Sequence, residues 1–271
     1  QQRRSQDFEP VEGEDMAFPT TVYLSYGQEK VETSAQKQKL GTRAMLPDGR
    51  VFYYAQNSSA AIGTAGFIVD GKALAGDHDM DLTLILAHSV GDTTISLEVP
   101  TTDLTKDQYA DGYLVFNDEA GEGELYRIKS HPAHDASDDN TVIITLDEPD
   151  GLRTALTTST EAQLVYNPYT EVKKIDGDGT QTTGPLGVTT IPVTASYYCW
   201  LQTSGISSVA VSGTTVLTLG DSIEVSQVSG QDGTATLQDS SGATDLISIG
   251  TAMGVASIAG DKGLVMLNIR A

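Results

Sequence analysis

Histidine is the side chain best suited to move a proton or hold a transition metal near neutral pH, and the chain has four. They fall in two places. His78 sits in the acidic run Asp77-His78-Asp79-Met80-Asp81, ten residues before His88, while His131 and His134 flank Pro132 and precede Asp135. A metal needs several nitrogen or oxygen donors converging on one point, and each cluster offers two or three. Against that chemistry, Pro132 prevents an ordinary helical i, i+3 pair, and with 37 acidic residues an aspartate beside a histidine is expected by chance.

The remaining chemistries are weaker. No Gly-x-Ser-x-Gly nucleophile turn accompanies the histidines, and nothing singles out two carboxylates for glycoside hydrolysis. Asp176-Gly177-Asp178-Gly179-Thr180 begins like a calcium loop but lacks the distal bidentate glutamate, and the loop from Asp135 through Asp138 and Asp139 to Asn140 is a second such candidate. No glycine-rich loop follows a strand and opens a helix, as phosphate binding would require. Cys199 stands alone among Tyr197, Tyr198, Trp200 and Leu201, which predicts a small core residue. That aromatic cluster and the pair Tyr53-Tyr54 have faces able to stack on sugar rings, although alternation along a strand turns half of them inward. The reading assigns no catalytic, cofactor-binding or metal residue and no cofactor, and it expects a protein that is not an enzyme.

The elements available to position these residues are strands. Charged residues make up only 20% of the 271, and Gly, Ser and Thr are plentiful, a profile of strands and turns. The formal charge of −21 would repel nucleic acid, so direct DNA or RNA binding is excluded as a general function. No apolar run approaches the roughly 18 residues that cross a bilayer, and the first residues lack the apolar centre of a signal peptide, which predicts a soluble chain with no membrane partner.

Along the chain, residues 1–19 read as an extended polar arm. Residues 40–55 read as a β-hairpin turning at Pro47-Asp48-Gly49, where proline presets φ and glycine accepts positive φ. Strands are expected at 82–87, 93–99, 113–116, 124–129, 141–146 and 163–166, with short helical turns near 105–109 and 151–157. Beyond a loop at 173–185, strands are expected at 187–193, 197–203, 208–211, 222–226, 247–252 and 264–269. The fold class is therefore all-β, with small β-barrel or sandwich units and very little helix. Three parts are expected: an arm at 1–19, a β domain at 20–185 with an inserted β region at about 77–185, and a C-terminal β-barrel at 186–271.

Several of these segments carry a resemblance. Residues 40–55 (LGTRAMLPDGRVFYYA), 109–115 (YADGYLV), 126–132 (YRIKSHP) and 197–203 (YYCWLQT) resemble virion structural proteins of tailed, double-stranded-DNA phages. Residues 220–225 (GDSIEV), 249–256 (IGTAMGVA) and 265–269 (VMLNI) resemble the small β-barrels of capsid decoration proteins. There a Gly-Asp turn opens a strand and an Ile-Gly-x-Ala segment precedes the closing strand. The resemblance covers about half the chain and implies a virion location on the capsid surface. It also implies a major capsid protein as partner, self-association as a homotrimer, and stabilisation of the head by many modest contacts. A head or tail fibre-like adhesin that binds host surface glycans through exposed aromatics is the alternative.

Overall fold

Where apolar and polar residues alternate, a strand can bury one face and wet the other, and the segment 141–146 buries Val142, Ile144 and Leu146 while Thr141 and Thr145 face out, with Ile143 the one apolar residue on the outer face. Repeated along the chain, this pattern makes the protein all-β. A computed structural model describes residues 21–137, 140–177, 181–213, 215–238, 248–254 and 261–270. The arm expected at 1–19 lies outside the described residues. Four strands come first: β1 (Thr21–Tyr23), β2 (Arg43–Met45), β3 (Val51–Gln56) and β4 (Ile68–Asp70). Six follow: β5 (Leu82–Thr83), β6 (Thr94–Glu98), β7 (Tyr113–Asp118), β8 (Leu125–Ser130), β9 (Thr141–Leu146) and β10 (Glu161–Val165). Seven more follow among the described residues: β11 (Lys173–Lys174), β12 (Gly187–Thr189), β13 (Tyr198–Ala210), β14 (Ser222–Val225), β15 (Ala235–Leu237), β16 (Gly250–Ala252) and β17 (Lys262–Asn268).

The expected hairpin at 40–55 forms. β2 and β3 pair antiparallel with Ala44 opposite Phe52, the Leu46 N–H donates to the Arg50 carbonyl at 3.0 Å, and Gly49 takes φ 85°. At 105–110 the chain makes consecutive i→i+3 turns, and at 151–157 it makes a bridge between Leu156 and His88, so neither segment is a helix.

The middle six strands form one sheet in the order β5-β10-β7-β8-β9-β6, antiparallel throughout. Leu84, just after β5, bridges Leu97 of β6, so the sheet returns on itself as a barrel. An even number of antiparallel strands closes with an antiparallel pair, as this one does. Its core holds Ile95, Leu97, Leu114, Phe116, Ile128 and Ile144, with Tyr109 beneath one end. The strands of this barrel stop at Val165, and β11 pairs with β4, so the barrel is inserted between two neighbouring strands of the other sheet.

That other sheet has eleven strands, with β1-β2-β3-β13-β17-β16-β14-β15 as its main path. Here the structure departs from expectation. The two strands expected at 197–203 and 208–211 are one strand of 13 residues, β13. Its first half pairs with β3 and its second half with β17. The change of partner needs a bend. A register shift between Gln202 and Ser204 and the positive φ of Gly205, 87°, supply it. The last third then curls: Val211, following β13, bridges Ala235 of β15 in parallel. Five strands, an odd number, must close with a parallel pair. Two cores result, one around Phe52, Leu46 and Leu201, the other around Val209, Ile223, Val265 and Leu267.

Candidate functional site

All four histidines are buried in or beside the inserted barrel. His78 Nδ1 lies 2.8 Å from the Tyr109 hydroxyl, and the Tyr109 backbone N–H donates to His131 Nε2 at 3.0 Å. The Pro132 carbonyl accepts from His131 Nδ1 at 2.8 Å, so His131 carries its proton on Nδ1 and its other nitrogen is an acceptor. Burial pushes both His78 and His131 below the usual histidine range, against the opposing pull of the Thr102 backbone and Asp77 on His78 and of the Pro132 carbonyl and Asp107 on His131. His88 Nε2 accepts the Ser96 N–H at 3.1 Å, and His134 Nε2 donates to the Val99 carbonyl at 2.8 Å. The rings of His88, His131 and His134 are thus engaged in holding backbone, a structural use, while His78 meets the Tyr109 hydroxyl and its buried Nε2 has no hydrogen-bond partner among the described residues. Among the described residues no group of three or more His, Cys, Asp or Glu is arranged to hold a metal ion. Asp138, Asp139 and the segment 178–180 of the two calcium-loop candidates lie outside the described residues.

The aromatic clusters are mostly core. Tyr53 stacks on Tyr169 with ring centroids 5.3 Å apart, and Trp200 meets Tyr54 edge-on at 4.9 Å. Tyr54 and Trp200 are buried, showing only edges to an apolar groove of 340 Å³ beside β1. Tyr198 is different. It stacks on Tyr54 at 5.9 Å and lines a second, polar cleft. Cys199 is buried, and burial pushes its thiol up to about 12.

An exposed apolar face, not anticipated from the sequence, lies on the last third. On β17 the inward residues are Val265 and Leu267, so the outward ones should be polar, yet they include Leu264 and Met266, 44% and 37% exposed. Across the sheet, Met266 pairs with Ile206 of β13, which is 47% exposed, and Leu264 accepts through its carbonyl from the N–H of the exposed Met253. The rest of this face is Ser204 and Ser208 of β13, Thr251 of β16 and Asn268 of β17, with Lys262 at one end. No carboxylate stands at an outward position of these three strands, although the chain carries 37. No family model, curated protein or solved structure matches the chain.

A sequence signal for the face did exist. Residues 263–267 read Gly-Leu-Val-Met-Leu, apolar on both faces of an antiparallel strand where one-sided burial calls for alternation. The chemistry of the face is simple. Apolar side chains on a rigid sheet lose water favourably against a partner, and no buried charge opposes the contact.

Proposed function

We propose that the chain is a non-enzymatic virion structural protein of the capsid decoration type, which binds the outer surface of a major capsid protein lattice and stabilises the head. The observation that carries this reading is the carboxylate-free apolar face of β13, β16 and β17 on a chain of net charge −21. A decoration protein must cover a lattice with many like-charged copies side by side. Docking the carboxylate-free face on the shell buries no carboxylate, and the acidic remainder points outward, where mutual repulsion limits further association. The small closed barrel that bears the face is the segment whose sequence resembles decoration proteins. Many such contacts on one lattice, reinforced by self-association as a trimer, add up to tight binding from individually modest interfaces.

The test is to add the purified protein to empty capsids of a tailed phage from the same source and locate it by reconstruction. Stoichiometric occupancy at lattice-defined positions is expected, and Met266→Glu should reduce it at least tenfold, an exposed substitution that leaves the melting temperature unchanged. Absence from the shell, together with saturable binding to host surface glycans, would replace this reading with the adhesin.

A further inference from the structure

Between the inserted barrel and the large sheet runs a cleft of 540 Å³, a size that takes a mono- or disaccharide. Its walls come from both units. The large sheet and its connections contribute Gln36, Gln56, Thr170 and Tyr198, and the barrel contributes Asp107 and Gln108. Planar amides, hydroxyls and a carboxylate are the groups that match the alternating donors and acceptors of a sugar ring, and an aromatic face covers its C–H side. Tyr198 offers such a ring, backed on the other side by Tyr54.

Several polar atoms here are unspent. Among the described residues, the Gln56 side chain and the Thr170 hydroxyl have no hydrogen-bond partner. Asp107 uses only Oδ1, which accepts the His131 N–H at 3.1 Å. The cleft is also where backbone strain collects. Among the described residues six non-glycine residues have positive φ, and two of them, Asp107 at 58° and Glu171 at 47°, line it, with Asp111 at 63° adjoining through its bond to Gln36. Strain of this kind persists where the surroundings enforce it, and it clusters at ligand sites.

Charge narrows the class of ligand. Lys72, the cleft's one cation, is held by Glu171 at 2.9 Å and lies 4.7 Å above the Tyr166 ring, which leaves Asp107 as the uncompensated charge. Phosphate esters, uronic acids and sialic acids would meet repulsion, and an apolar ligand would leave the Gln56 amide and the Thr170 hydroxyl without partners. The geometry points to a binding site for a neutral saccharide in this cleft, a function separate from shell docking, since the cleft shares no residue with the association face.

Saturation-transfer NMR on the full chain tests it. The probes are methyl glycosides of glucose, galactose and mannose, the disaccharides maltose and cellobiose, and the polymers dextran and mannan, with glucuronic acid and N-acetylneuraminic acid as anionic comparisons. At least one neutral probe should bind with a Kd in the millimolar range expected of so small a ligand. Preference for a polymer over its free sugar would assign the site to a surface polysaccharide, and the reverse preference to a free sugar. Gln56→Ala and the isosteric Thr170→Val should each weaken binding about fivefold or more, whereas Met266→Glu should leave it unchanged. Absence of transfer from every neutral probe, equal binding of the anionic sugars, or binding unaffected by both cleft variants in folded protein would overturn the assignment.

Discussion

Asp111 accepts the Leu40 backbone N–H at 3.1 Å, and this bond joins the inserted barrel to the large sheet. The same carboxylate accepts from the Gln36 amide at 2.7 Å and from Arg127 of β8 at 3.1 Å. Arg127 and Asn167 in turn donate to the Leu40 carbonyl. One short loop is thus gripped on both its N–H and its C=O by groups from the barrel side, and an ion pair between Lys39 and Asp147 lies beside it.

Removing the carboxylate strands the Leu40 N–H and takes from Arg127 its nearer counter-charge, leaving it the Leu40 carbonyl and Asp147 at 3.9 Å. Asp111→Ala should therefore cost about 2–3 kcal/mol. It should also uncouple the two units, so that urea unfolding followed by tryptophan fluorescence, reporting Trp200 in the large sheet, no longer coincides with unfolding followed by circular dichroism. Coincident, unshifted transitions would contradict the role given to Asp111.

Acid should weaken the barrel through its histidines. Burial holds His78 and His131 below the unfolded value of about 6.5, so at pH between the folded and unfolded values the unfolded chain binds more protons. Stability contributed by these two rings is complete above about pH 6.5 and declines as pH falls through that value. The aspartates facing them, Asp77, Asp79 and Asp107, moderate the slope without reversing it, and His134 adds to it at His78. Denaturant midpoints measured from pH 7.5 down to 5.5 should fall, and His131→Gln should flatten the dependence. A midpoint that rises on acidification would be inconsistent with neutral, buried rings.

Gly205 marks where β13 exchanges β3 for β17. Its φ is 87°, and an added Cβ would stand 2.8 Å from Arg50 Cγ. Gly205→Ala should destabilise by about 1–2 kcal/mol, seen as a lowered melting temperature. Ser204→Ala, one residue away, should change it by less than about 0.5 kcal/mol.

Cys199 is 1% exposed, and its thiol, pushed up to about 12, carries almost no thiolate at neutral pH. A thiol reagent should leave the native protein unmodified over hours and titrate one thiol per chain once guanidinium is added. Rapid modification of the folded protein would show that the strand opens locally.

Much of this architecture follows from local chemistry. Alternation at 141–146 and 125–130, the Pro47-Asp48-Gly49 turn and the scarcity of helix-forming runs set the all-β class and most strand positions, because one-sided burial and turn geometry act over a few residues. The aromatic and histidine clusters were legible as residues but not as roles, since Tyr198 facing a cleft while Tyr54 is buried depends on which neighbours each ring meets. The sequence predicts two strands at 197–203 and 208–211, and Ser204-Gly205 lies between them. Only the simultaneous offer of β3 on one flank and β17 on the other makes it a bend within a single strand. The same holds for the two closures, Leu84 on Leu97 and Val211 on Ala235, and for the grip of Asp111 on Leu40. Each joins residues far apart in the chain, so no local pattern encodes it, and the tertiary fold alone decides that a carboxylate-free apolar face and a polar cleft stand on the same acidic protein.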